Sequence, residues 1–114
     1  MDNIVEQGLL YDFYGELLTP HQRQVYEAAV YDDLSLSEIA AEFGITRQGV
    51  HDLLRRCDRI LQDYESHLHM LERFRQTKAD VNEIEAELAA YRSDSDAAHL
   101  DRIARTAAKI KEEL

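Results

Sequence analysis

Apolar residues recur every three or four positions along most of the chain, a spacing that is typical of amphipathic helices. The pattern predicts a first helix over residues 3–18 and a second helix that ends near Tyr31. Thr19 and Pro20 separate the two. Pro20 suits the first turn of a helix, and Thr19 can form a capping box with Gln22, in which each side chain bonds the other residue's backbone N–H. Two N-terminal helices are therefore expected.

The next segment carries the local signals of two helices joined by a tight turn. Ser35 and Glu38 can form a second capping box, so a short helix is predicted to begin there. Gly44 stands where this helix would end, because glycine adopts the left-handed conformation of a helix terminus at little cost. Thr46 is a further N-cap, and a new helix is predicted from Arg47. This order of elements indicates a helix-turn-helix motif.

The helix that starts at Arg47 is predicted to be long. No glycine after position 49 and no proline after position 20 interrupts it, and we expect it to reach Phe74. Its apolar positions form a heptad seam, namely Val50, Leu54, Cys57, Leu61, Tyr64, Leu68 and Leu71. Because a helix of this length extends beyond a small domain, its far half must lie on later helices or on a second chain. We hypothesise a homodimer formed through this seam.

Two more helices are expected after this point, with residues 93–96 as the linker and cap between them. Their apolar positions are Val81, Ile84, Leu88 and Tyr91, then Leu100, Ile103, Ala107, Ile110 and Leu114. Four glycines and one proline in 114 residues are too few for the turns of a β-domain. The predicted fold class is all-α, with a helix-turn-helix domain over residues 1–74 that includes the long helix 47–74. Residues 75–114 are expected to form an acidic extension of two helices.

The second helix of the motif carries most of the candidate binding residues. In a helix-turn-helix, the N-terminal part of this helix lies in the major groove, where arginine pairs with guanine and glutamine with adenine. If the seam faces the core, Arg47, His51 and Arg55 share one outward stripe. The start of the preceding helix offers hydroxyls and free N–H groups that suit a phosphate. The predicted nucleic-acid-binding residues are Ser35, Ser37, Arg47, Gln48, His51, Arg55 and Arg56.

Charge limits how strongly such a site could bind. The chain has 13 Lys and Arg against 23 Asp and Glu, and its formal net charge of −10 disfavours contact with phosphates. The charge is uneven, because residues 1–34 carry −6 and residues 61–114 carry −4, whereas residues 35–60 carry four charges of each sign. Asp52 and Asp58 lie among the arginines and are expected to repel phosphate. We expect weak to moderate binding of DNA or RNA, with a shallow salt dependence.

Catalytic, metal and membrane functions are not indicated. Cys57 is expected to be a buried packing residue, and His67 and His69 project from different sides of a helix and cannot share a metal. The common phosphate-loop, nucleophile-elbow and zinc-protease motifs are absent from the sequence. No apolar run approaches the roughly 20 residues that span a bilayer, and the N-terminal residues do not have the pattern of a signal peptide. We therefore expect a cytoplasmic protein that is not an enzyme, uses no cofactor and does not insert into membranes.

The segment from Tyr11 to Met70 closely resembles the YlxM family, which are small bacterial helix-turn-helix proteins similar to region 4 of sigma factors. The resemblance covers about residues 8–74 and includes the FY pair at Phe13 and Tyr14, the LLT that ends at Thr19 and the run LxxYExxLHM that ends at Met70. Its most specific part is LSEIA followed by FGITRQxV, from Leu36 to Val50. The chain departs from the family at two positions, where alanine and tyrosine are usual: Gly49 and His51.

Members of this family are associated with the signal recognition particle. The resemblance therefore implies a regulatory or accessory role in co-translational protein targeting, a cytoplasmic location and a dimer. Two functions stay open. In one, the motif binds nucleic acid, and the particle's RNA or protein is a partner. In the alternative, the motif is only a scaffold and the acidic helices dock a basic protein.

Overall fold

A computed structural model describes residues 4–114, so the predicted start of the first helix at residue 3 lies outside the described residues. Within residues 4–114 all regular secondary structure is helical, which confirms the predicted all-α class. The helices are α1 (Ile4–Tyr14), α2 (Pro20–Val30), α3 (Leu36–Phe43), α4 (Arg47–Leu68), α5 (Met70–Asp94) and α6 (Ala98–Glu113), with a 3-10 turn at Gly15–Leu17. The chain forms two compact units that divide between Leu71 and Glu72.

The first unit packs α1, α2 and α3 around α4. One buried cluster joins α1 and α2 to the middle of α4 and includes Leu10, Tyr14, Tyr26, Cys57 and Leu61. A second cluster joins α2 and α3 to the first turn of α4 and consists of Val25, Ala28, Ile39 and Val50. Since α4 contributes to both clusters, it is the element on which the other three helices depend.

The capping contacts predicted from the sequence are confirmed in this unit. Thr19 Oγ1 accepts a hydrogen bond from the N–H of Gln22 at 3.2 Å, and Gln22 Oε1 accepts one from the N–H of Thr19 at 2.9 Å. Ser35 and Glu38 form the same box at the start of α3. Gly44 ends α3 with a left-handed φ of 66°. These contacts are local, so they set the starts of α2 and α3 and the turn after α3.

The prediction of one helix over residues 47–74 is wrong, because α4 ends at Leu68. His69 adopts the left-handed conformation with a φ of 56°, and α5 starts at Met70. This conformation costs a residue other than glycine about 1–2 kcal/mol. Contacts from elsewhere in the unit must therefore stabilise the break.

Tyr14 and Glu65 supply those contacts. The Tyr14 hydroxyl accepts a hydrogen bond from the N–H of Met70 at 3.1 Å, and Glu65 Oε1 accepts one from the N–H of Leu71 at 2.9 Å. Tyr14 also donates its proton to the same Glu65 oxygen at 2.7 Å. The carboxylate complements the positive end of the α5 dipole. The break places Leu71 in the core, where it is only 2% exposed.

The apolar seam of α4 is covered by the chain itself. Three of its residues are fully buried in the two clusters, namely Val50, Cys57 and Leu61. Only Leu68, in the last turn, is largely exposed. This seam is therefore not a free surface for a second chain, and the reasoning that led from it to a homodimer fails. The homodimer itself stays a prediction.

The second unit is a hairpin in which α5 and α6 are joined largely by polar contacts. Three acidic residues of α5, spaced seven positions apart, make ion pairs with α6 and form an acidic line: Asp80, Glu87 and Asp94. Lys109 Nζ lies 3.2 Å from Asp80 Oδ1, and Arg102 Nε lies 3.0 Å from Glu87 Oε1. Helix α6 therefore lies along the acidic line.

The apolar residues of this unit are less buried than their spacing predicts. Ile84, Tyr91, Ile103 and Ile110 are half-buried, whereas other positions of the predicted stripes are exposed, among them Val81, Leu88, Leu100 and Leu114. The linker is also shorter than predicted, since α5 continues through Asp94. The predicted cap is not found within residues 93–96, because the N-cap of α6 is Ala97, which makes no side-chain capping hydrogen bond. Asp96 Oδ1 does accept a hydrogen bond from the N–H of Ala98 at 2.9 Å.

We predict that Tyr14→Phe lowers the free energy of unfolding by about 1–3 kcal/mol, because the Met70 N–H loses its acceptor and Glu65 loses a donor. Urea denaturation followed by circular dichroism measures this change. Tyr64→Phe is the matched control: the two rings stack with centroids 6.0 Å apart, and no hydrogen bond of the Tyr64 hydroxyl occurs among residues 4–114. Equal losses in the two variants would contradict this account of the break.

We predict that the α5–α6 hairpin loses stability as the pH rises from below the unfolded histidine pKa of about 6.5 through the raised pKa of folded His99. His99 lies between two carboxylates, with Nε2 3.0 Å from Asp94 Oδ2 and Nδ1 2.6 Å from Glu87 Oε2, and these hydrogen bonds raise its pKa. A raised pKa stabilises the folded state below the unfolded value of about 6.5, and this stabilisation disappears as the pH rises through the folded pKa.

Amide hydrogen exchange in α6, corrected for the intrinsic effect of pH, measures the change. His99→Gln should remove this pH-dependent loss of protection. The same loss in wild type and variant would show that another group is responsible. The pKa values of Glu87 and Asp94 are lowered by their hydrogen bonds to His99, so their own contribution disappears only at acidic pH.

Candidate nucleic-acid interface

Helices α3 and α4 meet through two fully buried side chains. Ile39 of α3 and Val50 of α4 have no exposed surface and share a cluster with Val25 and Ala28 of α2. The left-handed Gly44 ends α3, and Thr46 caps α4 by accepting a hydrogen bond from the N–H of Gly49 at 2.9 Å. This short helix, tight turn and long helix hold the start of α4 at the surface of the unit.

Three predicted site residues come together at the start of α4. Arg47, Gln48 and His51 line an open hollow of about 450 Å³, with Leu36 of α3 on the other side. Arg47, Gln48 and His51 are all exposed. The first turn of α4 contains no acidic residue, so its positive helix end and the Arg47 guanidinium act in the same direction on an approaching anion.

The start of α3 is chemically different from the start of α4. The Ser35 hydroxyl accepts a hydrogen bond from the N–H of Glu38 at 3.1 Å, and Glu38 Oε1 accepts one from the N–H of Ser35 at 2.9 Å. These hydrogen bonds lower the pKa of Glu38, so a carboxylate occupies this helix end. Ser37 is exposed beside it. A phosphate at this position would have to lie next to that negative charge.

The basic residues of α4 are exposed and available. Within residues 4–114, none of the four arginines of α4 is part of an ion pair: Arg47, Arg55, Arg56 and Arg59. Arg56 does not line the first hollow. It lines a second open hollow of about 530 Å³ on α4, together with Arg59, Ile60, Asp63 and Tyr64.

The two aspartates among these arginines play different parts. Asp58 is half-buried, where its Oδ1 accepts hydrogen bonds from the Tyr26 hydroxyl at 2.7 Å and from Gln7 Nε2 at 3.1 Å. The expectation that Asp58 stands among the outward arginines is therefore wrong. Asp52 is exposed, as expected, and accepts a hydrogen bond from Gln48 Nε2 at 2.9 Å. Asp52 also lies 3.6 Å from His51 Nδ1, so it contacts two of the predicted base-reading residues.

Two features of the outer face of α4 were not among the predictions: the position of Arg59 and the contact between Asp52 and Gln48. Arg59 continues the stripe of Arg47, His51 and Arg55 at the same four-residue spacing, so the sequence did contain a signal for it. Asp52 follows Gln48 by four positions, so the sequence also contained a signal for the contact between these two side chains on one face of the helix. The inward position of Asp58 had no such signal, because its partners lie 32 and 51 residues away.

Cys57 is a fully buried packing residue, as predicted, and burial raises its pKa to about 11. Among residues 4–114, no group of three His, Cys, Asp or Glu side chains is placed to hold a metal ion. The helices of this part of the chain are too short or too polar to cross a membrane.

The geometry of α3 and α4 defines a helix-turn-helix protein. Comparison with known sequences gives the family. A model described as "Putative helix-turn-helix protein, YlxM / p13 like" matches residues 1–107, and the chain therefore belongs to this family, UPF0122. The resemblance noted from the sequence motifs is confirmed.

Individual relatives agree with this assignment. A UPF0122 protein of Shouchella clausii is 38% identical over 90 residues, which are 79% of this chain and 83% of the relative. A UPF0122 protein of Listeria welshimeri is 42% identical over 81 residues, covering 71% and 74% of the two chains. A UPF0122 protein of Streptococcus gordonii is 51% identical over 61 residues, covering 54% and 56%.

Proposed function

We propose that the chain binds nucleic acid through the outer face of α4. The observation that carries this proposal is the set of arginines on a helix-turn-helix second helix that are exposed and in no ion pair within the described residues: Arg47, Arg55, Arg56 and Arg59. Exposed arginines elsewhere on a protein are often paired with nearby carboxylates. Here one candidate partner on the same helix, Asp58, instead accepts hydrogen bonds from Tyr26 and Gln7.

In the proposed complex, the start of α4 lies in a groove of the nucleic acid. Arg47, Gln48 and His51 face the base edges, because they line the hollow at the N-terminal end of the helix. Arg55 and Arg56 contact the phosphates further along. Ser35 and Ser37 contact a backbone phosphate only if the nearby Glu38 carboxylate is accommodated. Gln48 must leave Asp52 before its amide can pair with a base.

We further propose that this binding serves a regulatory or accessory role in co-translational protein targeting in the cytoplasm, with the RNA or protein of the signal recognition particle as a partner. Membership of the YlxM-like family supports this role, since the family resemblance implies it. The small number of available arginines supports weak to moderate affinity, because few phosphates are neutralised by each chain.

We predict that Arg47→Ala and Arg55→Ala each weaken binding by about three- to tenfold at low salt and each reduce the salt dependence by about one ion. Fluorescence anisotropy with a DNA duplex and with a structured RNA, each at several salt concentrations, measures both quantities. Arg105→Ala is the matched control, because Arg105 is an exposed arginine of α6 that lies outside the proposed interface.

Three results of this experiment would count against nucleic-acid binding by α4. The wild-type protein could bind neither probe at low salt. Arg105→Ala could weaken binding as much as the two α4 variants, which would indicate a response to net charge alone. Finally, the α4 variants could bind as tightly as the wild type.

A second candidate function is the docking of a basic protein by the acidic N-terminal region. The observation that favours it is a group of exposed carboxylates in the segment of net charge −6: Asp12, Glu16, Asp32 and Asp33. In this case the basic protein of the signal recognition particle would bind without RNA, through complementary charge.

We predict for this second function that Asp32→Asn/Asp33→Asn weakens capture of that protein in a pull-down without RNA. Asparagine suits both positions, since Asp33 has a left-handed φ of 56° that asparagine also tolerates. Glu112→Gln/Glu113→Gln makes the same change in net charge at exposed residues of the other unit and serves as the control. Equal weakening by both pairs would contradict a local docking surface.

A further inference from the structure

The second hollow of α4 lies further along the helix than the hollow that contains Arg47. Arg59, in the second hollow, is about 18 Å from Arg47 along the helix axis, at 1.5 Å per residue. The second hollow has a volume of about 530 Å³, and its lining residues are Arg56, Arg59, Ile60, Asp63 and Tyr64. Small-ligand sites measure about 300–1,000 Å³, so this hollow is large enough for one nucleotide.

Two guanidinium groups make part of the second hollow suitable for a phosphate. Arg56 and Arg59 are exposed, and neither is in an ion pair within residues 4–114. They are three positions apart, so they are neighbours on one side of the helix. Arginine presents a planar fork of N–H donors that matches the oxygens of a phosphate. A phosphate can therefore bind between them without displacing an existing ionic partner.

A carboxylate beside the two arginines restricts which ligand can bind. Asp63 is exposed and follows Arg59 by four positions. Within residues 4–114 its only ion contact is with His67, and the distance of 3.9 Å from Asp63 Oδ1 to His67 Nδ1 is too long for a hydrogen bond. An ionised carboxylate only accepts hydrogen bonds. The ligand must therefore carry a donor close to its phosphate, and the 2′-hydroxyl of a ribose is such a donor.

The remaining wall of the second hollow is apolar and aromatic. Ile60 and Tyr64 are half-buried and pack against the buried cluster that contains Cys57. The Tyr64 ring stacks on the buried Tyr14 ring, with centroids 6.0 Å apart, so the core holds it in place. A phosphate alone makes no use of such a wall, whereas an unpaired base packs on aromatic and aliphatic side chains.

We propose that the second hollow binds one unpaired ribonucleotide of an RNA chain. Arg56 and Arg59 contact its phosphate, and Asp63 accepts a hydrogen bond from its 2′-hydroxyl. Its base packs on Ile60 and Tyr64. The nucleotide must be unpaired, because the bases of a duplex are stacked on one another and cannot reach this wall. The proposal rests on nucleic-acid binding by α4, and it makes RNA the ligand of this part of the helix.

The bound nucleotide belongs to a chain because the open hollow provides few contacts to a free nucleotide. Arg47 and Arg55 bind other parts of the same chain and so raise the effective concentration of the nucleotide at the second hollow. Uridine 5′-monophosphate should therefore displace an RNA chain only at a concentration about a hundredfold higher than that of the chain's own nucleotides. Displacement at equal concentrations would contradict a site for RNA and indicate one for free nucleotides.

The first test compares a single-stranded uridine decamer with its 2′-deoxyuridine counterpart by fluorescence anisotropy at low salt. The wild type should bind the RNA decamer about three- to tenfold more tightly, because the deoxy decamer lacks the donor to Asp63. Asp63→Ala should bind the deoxy decamer more tightly than the wild type does, since repulsion of phosphate is lost, but should gain little for RNA. The preference for RNA should therefore disappear.

The control for this variant is Asp101→Ala, which removes the same charge at an exposed residue of α6. It should leave the ratio of the two affinities unchanged. An equal gain for both decamers in Asp63→Ala would show that this aspartate only repels phosphate, and would overturn its contact with the 2′-hydroxyl.

The second test locates the nucleotide on α4. Arg59→Ala should weaken binding of the RNA decamer by about three- to tenfold, whereas Arg105→Ala, at an exposed arginine of α6, should not. Irradiation of the complex with a 4-thiouridine decamer should cross-link the RNA to the peptide that contains Ile60 and Tyr64, as identified by mass spectrometry. Circular dichroism should show the same helical content in all variants, because the substituted residues are exposed.

Three outcomes would overturn the proposal: equal affinity of the wild type for the two decamers, an Arg59→Ala variant that binds RNA like the wild type, and cross-links confined to residues 47–51. They are distinct from failure of the proposed function, which is measured with a duplex and depends on Arg47. Duplex binding that requires Arg47, together with any of these outcomes, would remove the ribonucleotide site alone. Absence of binding to every probe would remove both.

Discussion

Burial of the apolar side of α4 is the constraint from which most of this structure follows. Val50, Cys57 and Leu61 have no exposed surface, and α1, α2 and α3 contact this side of the helix through the two clusters, with α2 contributing to both. Once that side faces inward, the rotation of α4 about its axis is set. The arginines must then lie outward, and Asp58 must lie at the margin of the core, where Tyr26 and Gln7 reach it. The proposed interface is thus a consequence of core packing.

Local signals in the sequence predicted the elements of the first unit well. The capping boxes at Thr19 and Ser35 and the left-handed Gly44 depend on residues no more than four positions apart, so a single sequence contains all the information that they need. The break at His69 is different. The heptad spacing continues through Leu68 to Leu71. The new helix start is stabilised by the Glu65 carboxylate and by the hydroxyl of Tyr14, which is 56 residues away from Met70. Periodicity alone cannot reveal such a contact.

In the candidate site, too, the features that depend on local helical geometry could be predicted from the sequence, whereas contacts with distant residues could not. The outward positions of Arg47, Gln48, His51 and Arg55 follow from helical geometry, and the structure places all four at the surface. Asp52 and Asp58 have unlike surroundings although they share α4, because Asp58 contacts residues 32 and 51 positions away, whereas Asp52 contacts Gln48, four positions away. In the second unit, the spacing of the apolar residues predicted two helices, but it did not predict which side of α5 contacts α6. Helix α6 contacts the acidic line of α5 through cationic side chains, and no local sequence pattern connects these cations to α5.

Because Cys57 is buried, the rate at which its thiol is alkylated reports how often the core of the first unit opens. Cys57 is the single cysteine in the sequence, it has no exposed surface, and its raised pKa keeps the thiol protonated at neutral pH. A water-soluble alkylating reagent can therefore react only during excursions that separate α4 from the helices around it. The rate of labelling measures the frequency of those excursions in the first unit, and it is insensitive to opening of the α5–α6 hairpin, which contains no thiol.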